Sequence, residues 1–119
     1  MAYAKDGKRL ARGEGNNVVV CCAESGFEQC QLSCGSAVLS VAYSPDGTKL
    51  TAGLEYPSNK VVVFDTQTNE QICSLRCDSI VWSVVWSPDG TKIVAGCNDG
   101  KVRIFDSASG TLSGSPPAT

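Results

Sequence analysis

Three stretches of this sequence can be laid over one another. Residues 1–13 read MAYAKDGKRLARG, residues 41–53 read VAYSPDGTKLTAG, and residues 84–96 read VVWSPDGTKIVAG. Their aspartates, Asp6, Asp46 and Asp89, are 40 and 43 residues apart. A second block recurs as VVVCC from Val18, VVVFD from Val61 and VRIFD from Val102. A third recurs as CQLSC from Cys30 and CSLRC from Cys73. A period near 40 kept by three separate blocks means that one supersecondary unit is used repeatedly. The 119 residues, otherwise the length of one ordinary domain, then divide into just under three units.

Each unit holds about four short extended runs, placed in the second unit at 38–44, 49–54, 60–66 and 70–76. Val, Ile, Leu, Tyr, Trp and Thr dominate them, which suits strands. Turn chemistry separates the runs. Ser44-Pro45-Asp46-Gly47 and Ser87-Pro88-Asp89-Gly90 put proline second and glycine fourth, the pattern of a type I turn. The glycine is expected in the left-handed conformation that closes a hairpin. The recurrent pairs Asp6-Gly7, Asp46-Gly47 and Asp89-Gly90 are therefore read as structural turns. No window keeps a 3.6-residue apolar period, so no substantial helix is predicted. Strict alternation would put Trp82, Val84 and Trp86 on one face of their strand, and Leu39, Val41 and Tyr43 on one face of the equivalent strand. The opposite faces carry smaller residues. Large faces fitted against small ones would stack the units, because a single four-stranded unit cannot bury both of its sides.

The order aliphatic-Ser-Val-x-aromatic-Ser-Pro-Asp-Gly, then Leu/Ile-x-Ala-Gly, then Val-x-Val/Ile-Phe-Asp resembles the WD-repeat β-propeller family over essentially the whole chain. The resemblance implies an all-β protein of about three four-stranded antiparallel blades, arranged as an open arc rather than a closed ring. The blades are expected at about 1–37, 38–79 and 80–119, the last strand being incomplete. The family's Trp-Asp pair stands here as Phe64-Asp65 and Phe105-Asp106, and in the first unit as Cys21-Cys22. Its Gly-His pair is absent, with Gly35-Ser36 and Asp78-Ser79 in that place. Ala52 and Ala95 replace its strand-two serine. The buried Asp-His-Ser-Trp network of typical members therefore cannot form. Apolar packing and strand ladders must hold the blades, and the outer faces of the first and last sheets are expected to lie bare.

The chain has no histidine, which excludes Ser-His and Cys-His catalytic pairs and histidine metal ligands within it. Recurrence ties the aspartates to turns, whereas an enzyme needs a single constellation. No enzymatic activity and no cofactor are expected. A formal charge of −2 lacks the basic excess of a nucleic-acid binder. No apolar run approaches the roughly 18 residues of a membrane helix. Gly13-Glu14-Gly15 is not followed by the Gly-Lys-Ser/Thr of a phosphate loop. Seven cysteines, an odd number with no secretory leader ahead of them, are read as reduced thiols in a cytoplasmic or nuclear protein. Cys30/Cys34 and Cys73/Cys77 are spaced to share one strand face, where four thiolates would suit zinc, although packing is the expected role. Cys22 would be a reactive thiol if exposed.

The resemblance further implies a non-catalytic scaffold for protein–protein interaction. Its docking face would carry the turns before the first and after the second strand of each blade. The candidate residues are Glu55, Tyr56, Asp78, Ser79, Trp82, Asn98 and Asp99. The expected partners are proteins, with self-association or additional blades closing a ring. The alternatives are a structural segment of a larger propeller without a site of its own, and an accessory propeller segment of an enzyme.

Overall fold

A computed structural model describes residues 2–3, 7–110 and 112–114. Among the described residues twelve strands follow one another: β1 (Ala2–Tyr3), β2 (Arg9–Glu14), β3 (Asn17–Cys22), β4 (Glu28–Ser33), β5 (Val38–Tyr43), β6 (Lys49–Leu54), β7 (Lys60–Asp65), β8 (Gln71–Arg76), β9 (Val81–Trp86), β10 (Lys92–Cys97), β11 (Val102–Asp106) and β12 (Leu112–Gly114). They form three antiparallel four-stranded meanders, β1–β4, β5–β8 and β9–β12. The described residues contain no helix, and the three sheets stack as open propeller blades without closing into a barrel.

The hairpins are built by side chains as much as by backbone. Asp46 Oδ1 accepts hydrogen bonds from the Ser44 hydroxyl (2.7 Å), the Thr48 amide (3.0 Å) and the Thr48 hydroxyl (2.8 Å). The Gly47 amide returns to the Ser44 carbonyl at 2.9 Å, with φ at +76°. Only glycine enters that region without steric cost. Asp89 repeats these contacts with Ser87 and Thr91, and Gly90 repeats the φ. These turns set the registers Tyr43↔Leu50 and Trp86↔Ile93. Asp6 lies outside the described residues, while Gly7 has φ +70°.

Two apolar layers join the blades. In the first, Ala11, Val18, Val20, Leu32 and Cys34 meet Val41, Leu50, Ala52, Leu54, Val62 and Phe64. In the second, Val61, Val63, Leu75 and Cys77 meet Val81, Val84, Ile93, Ala95, Cys97 and Phe105. The central strand β7 serves both, so Val61 to Phe64 are all buried although they alternate in direction. Two glycines set the spacing. A Cβ on Gly13 would lie 2.8 Å from Val38 Cγ1, and one on Gly53 2.7 Å from Val81 Cγ1.

Simple alternation misplaces two large side chains. In β9 the register passes from Ser83↔Gly96 to Val81↔Cys97 and leaves Trp82 unpaired. In β5 it passes from Ser40↔Gly53 to Val38↔Leu54 and leaves Leu39 unpaired. Such a bulge sets two residues against one and shifts the side-chain phase. Val81, Val84 and Trp86 therefore pack toward the second blade, and Trp82 leaves that face and is 54 % exposed. Leu39 likewise parts from Val41 and Tyr43, which pack toward the first blade.

The outer face of the first blade also differs from expectation. It is not bare: Val19 and Cys21 are 1 % and 2 % exposed. Arg12 donates to Cys21 Sγ and pairs with Glu14, both at 3.0 Å. Asn17 bonds Gln31, which bonds Glu28. In the second blade the register positions of Arg12 and Glu14 hold Ala52 and Leu54, both buried against the first blade. The outer face of the third blade is more open, with Val85 52 % exposed and, among the described residues, nothing but Ser83 within 4 Å of a Cβ on Gly96.

Candidate functional site

Antiparallel meanders bring the β2–β3, β4–β5, β6–β7, β8–β9 and β10–β11 connections to one end of the stack. All seven candidate docking residues lie at that end. Four of them meet directly. Trp82 Nε1 donates to Asn98 Oδ1 at 2.9 Å, and the Asp99 amide donates to Ser79 Oγ at 3.1 Å. The Asn98 amide caps the Ile80 carbonyl at 2.8 Å. The β9 bulge makes this possible, because it turns the indole of Trp82 away from the blade interface toward the β10–β11 turn. Asp99 also takes a two-point contact from Arg103, at 3.1 and 2.8 Å. That guanidinium holds the Asp99 carboxyl below its usual range.

The other three candidates are neighbours rather than contacts of this cluster. Asp78, at φ +60°, pairs with Arg76 at 2.6 Å on an exposed edge. Glu55 opens the β6–β7 loop, its amide bonded to the Ala37 carbonyl. Tyr56 stands 74 % exposed before a cis bond to Pro57. The loop is tied down by Ser36, which bonds the Ser58 hydroxyl and amide, and by the Cys77 amide, which donates to the Asn59 carbonyl. The face thus offers two exposed aromatics on an anchored frame with mixed, mostly paired charge. Such a surface suits recognition, since aromatic side chains add contact area at little entropic cost.

The cysteine pairs do not assemble into one site. Cys30 and Cys34 pack in the first interblade layer, and Cys73 and Cys77 in the second. No group of three or more metal-ligating side chains occurs among the described residues. Burial pushes the Cys34 thiol up to about 11 and the Cys77 thiol up to about 12, where each is protonated at neutral pH. Cys22 differs. It takes the register position of Asp65 and Asp106, opposite Arg9 where those aspartates face Lys49 and Lys92. Asp65 and Asp106 each accept two turn amides. Cys22 meets the equivalent donors of Ser25 and Glu24, and the Ser25 side chain above all lowers its pKa.

Polar links between blades replace part of the absent network. Trp86 Nε1 donates to Thr51 Oγ1 at 3.3 Å, and the Thr51 hydroxyl in turn donates to the Ala42 carbonyl at 2.9 Å. The Val84 amide donates to Ser40 Oγ at 3.2 Å. These links escaped sequence reasoning because their partners stand 35 and 44 residues apart, in different repeats.

At the opposite end the turn aspartates predict an acid response. The Thr91 amide first, then the Ser87 and Thr91 hydroxyls, hold the Asp89 carboxyl at about 2. Thr48 and Ser44 lower Asp46 in the same way. Both titrate below the unfolded value of about 3.9, so their stabilisation is complete above that pH and is lost as pH falls toward the folded values. Melts recorded between about pH 5 and 2 should show Tm falling, and Asp89→Asn should flatten that fall. An unaltered slope in the variant would remove Asp89 as a source of the acid sensitivity.

Comparison with known proteins matches the WD domain, G-beta repeat pattern to residues 26–65 and 69–106. The chain belongs to the WD-repeat family. Each matched window starts one strand early: 26–65 takes in β4 of the first blade before β5 to β7 of the second. The WD repeat in sequence and the blade in space are thus out of phase, and each repeat spans two blades. No curated protein matches the chain. Among solved structures, Kuenenia stuttgartiensis hydrazine synthase resembles it with a TM-score of 0.88 at 24 % identity over 98 % of this chain. That match covers 36 % of the neighbour's chain, so this WD-repeat chain spans about a third of its length. At that identity the likeness concerns the fold.

Proposed function

We propose that the chain is a non-catalytic scaffold segment that binds a protein partner through the end of the stack bearing Glu55, Tyr56, Asp78, Ser79, Trp82, Asn98 and Asp99. The observation that carries this reading is Trp82. A bulge turns a large aromatic out of the core, leaves it 54 % exposed, and holds it with a hydrogen bond to Asn98. A side chain oriented this way brings apolar area to an interface at low entropic cost. Affinity capture with the whole chain tests the reading. Tyr56→Ala/Trp82→Ala should lose a partner that the wild type and Phe27→Ala, altered at the opposite end, both retain. Retention by all three, or no partner for a folded chain, would count against it. The double variant should unfold within about 0.5 kcal/mol of wild type, as expected for exposed sites.

A second reading rests on the open outer face of the third blade. Val85 is 52 % exposed there, and among the described residues a Cβ on Gly96 would meet only Ser83, whereas Ala42 and Gly53 at the same register positions in the second blade are packed. This favours a place within a larger propeller whose next blade would cover them. The solution mass separates the readings: a discrete dimer or trimer supports a self-sufficient platform, and an aggregating monomer supports the segment.

A further inference from the structure

The second interblade layer holds a feature that the first lacks. Cys77, just beyond β8, and Cys97, at the end of β10, lie thiol to thiol across the boundary between blades. In the first layer the place of Cys77 is taken by Cys34, and that of Cys97 by Leu54. Both sulfurs are held. Cys77 Sγ points to the Leu75 carbonyl at 3.7 Å and Cys97 Sγ to the Ala95 carbonyl at 3.8 Å. The backbone is anchored on both sides, by the Cys77 amide to Asn59 and the Cys97 amide to Lys101, each at 3.0 Å. Arg103, fixed by Asp99, contacts the Cys97 sulfur. Cys97 keeps 9 % exposure and Cys77 none, so a small oxidant meets Cys97 first.

We propose that Cys77 and Cys97 form a peroxide-sensitive pair that closes into a disulfide joining the second and third blades. The Cys97 sulfur attacks hydrogen peroxide, the O–O bond breaks, and the departing hydroxide takes up the Cys97 proton to become water. Cys97 is then a sulfenic acid. The Cys77 sulfur displaces its hydroxyl, the S–O bond breaks, the S–S bond forms, and the Cys77 proton goes into a second water. Two thiols and one peroxide give one disulfide and two waters. The bond would close a loop between positions 20 residues apart and restrain the unfolded chain. It would also take over part of the stapling that the missing histidine network gives other WD repeats.

Peptide mapping tests this on the intact chain. Cleavage after Arg76, Lys92 and Lys101 separates Cys77 (peptide 77–92) from Cys97 (peptide 93–101). After hydrogen peroxide and thiol blocking, the two peptides should appear linked, and dithiothreitol should release them. The oxidised chain should melt several degrees above the reduced one. In Cys77→Ala, Cys97 should instead be trapped by dimedone as its sulfenic acid. Recovery of both peptides unlinked from the wild type, or linkage of Cys77 to Cys73 in place of Cys97, would overturn the proposal.

Discussion

Gly53→Ala will loosen the second blade from the third and cost about 1–3 kcal/mol, the usual penalty of an overpacked core. The added methyl would stand 2.7 Å from Val81 Cγ1, 2.9 Å from Val84 Cγ2 and 3.3 Å from Val81 Cβ. Val81 and Val84 are both buried in the layer between the blades. The loss must also exceed the roughly 0.4–1 kcal/mol that alanine contributes by restricting the unfolded chain. Gly96 is the matching control. It occupies the same register position one blade later, opposite Ser83 as Gly53 is opposite Ser40. Among the described residues a Cβ there meets only Ser83, at 3.8 Å. Gly96→Ala should therefore stay within about 0.5 kcal/mol of wild type. Urea unfolding of the two variants measures the difference. Equal effects would mean that the close approach at Gly53 does not set the blade spacing.

Leu75→Ala should destabilise by about 2–5 kcal/mol, the range for a buried leucine whose site collapses only in part. Leu75 is 2 % exposed between Cys73 and Cys77 and fills the second layer against the third blade. Ile72, on the same strand but 47 % exposed, provides the contrast. Its replacement by alanine should change stability by no more than about 0.5 kcal/mol. A small effect at Leu75 would mean that the Cys-x-x-x-Cys stripe does not carry the packing between blades. The two leucine stripes, at Leu32 and Leu75, are equivalent in their layers, so Leu32→Ala should follow Leu75→Ala in sign.

The strands and hairpins were legible because their causes are local. The Ser-Pro-Asp-Gly turns make their contacts within five residues, so the bonds of Asp46 and Asp89 can be anticipated from the letters alone. The faces of β5 and β9 were less legible. Strict alternation joined Trp82 to Val84 and Leu39 to Val41. A signal was present in the apolar residues at Val81 and Val84, three apart instead of two, which is what a bulge between them leaves. The candidate docking residues could be placed at one end by counting strands. The contacts that join Trp82 to Asn98 and Ser79 to Asp99 needed the bulge and the turn brought together.

By itself the sequence determined a threefold unit, its strands, its turns and its family, since each depends on residues close in the chain or on a pattern that repeats. Only the tertiary structure decided which side chains the units share. It separated Cys30/Cys34 from Cys73/Cys77 into different layers, set Cys77 beside Cys97, and covered Cys21 with Arg12. It also brought the Thr51 hydroxyl to the indole N–H of Trp86. The physical reason is that blades meet through faces whose phase depends on single-residue bulges and whose spacing depends on single glycines. Neither leaves a periodic mark in the chain, and both act between residues some 20 to 45 positions apart.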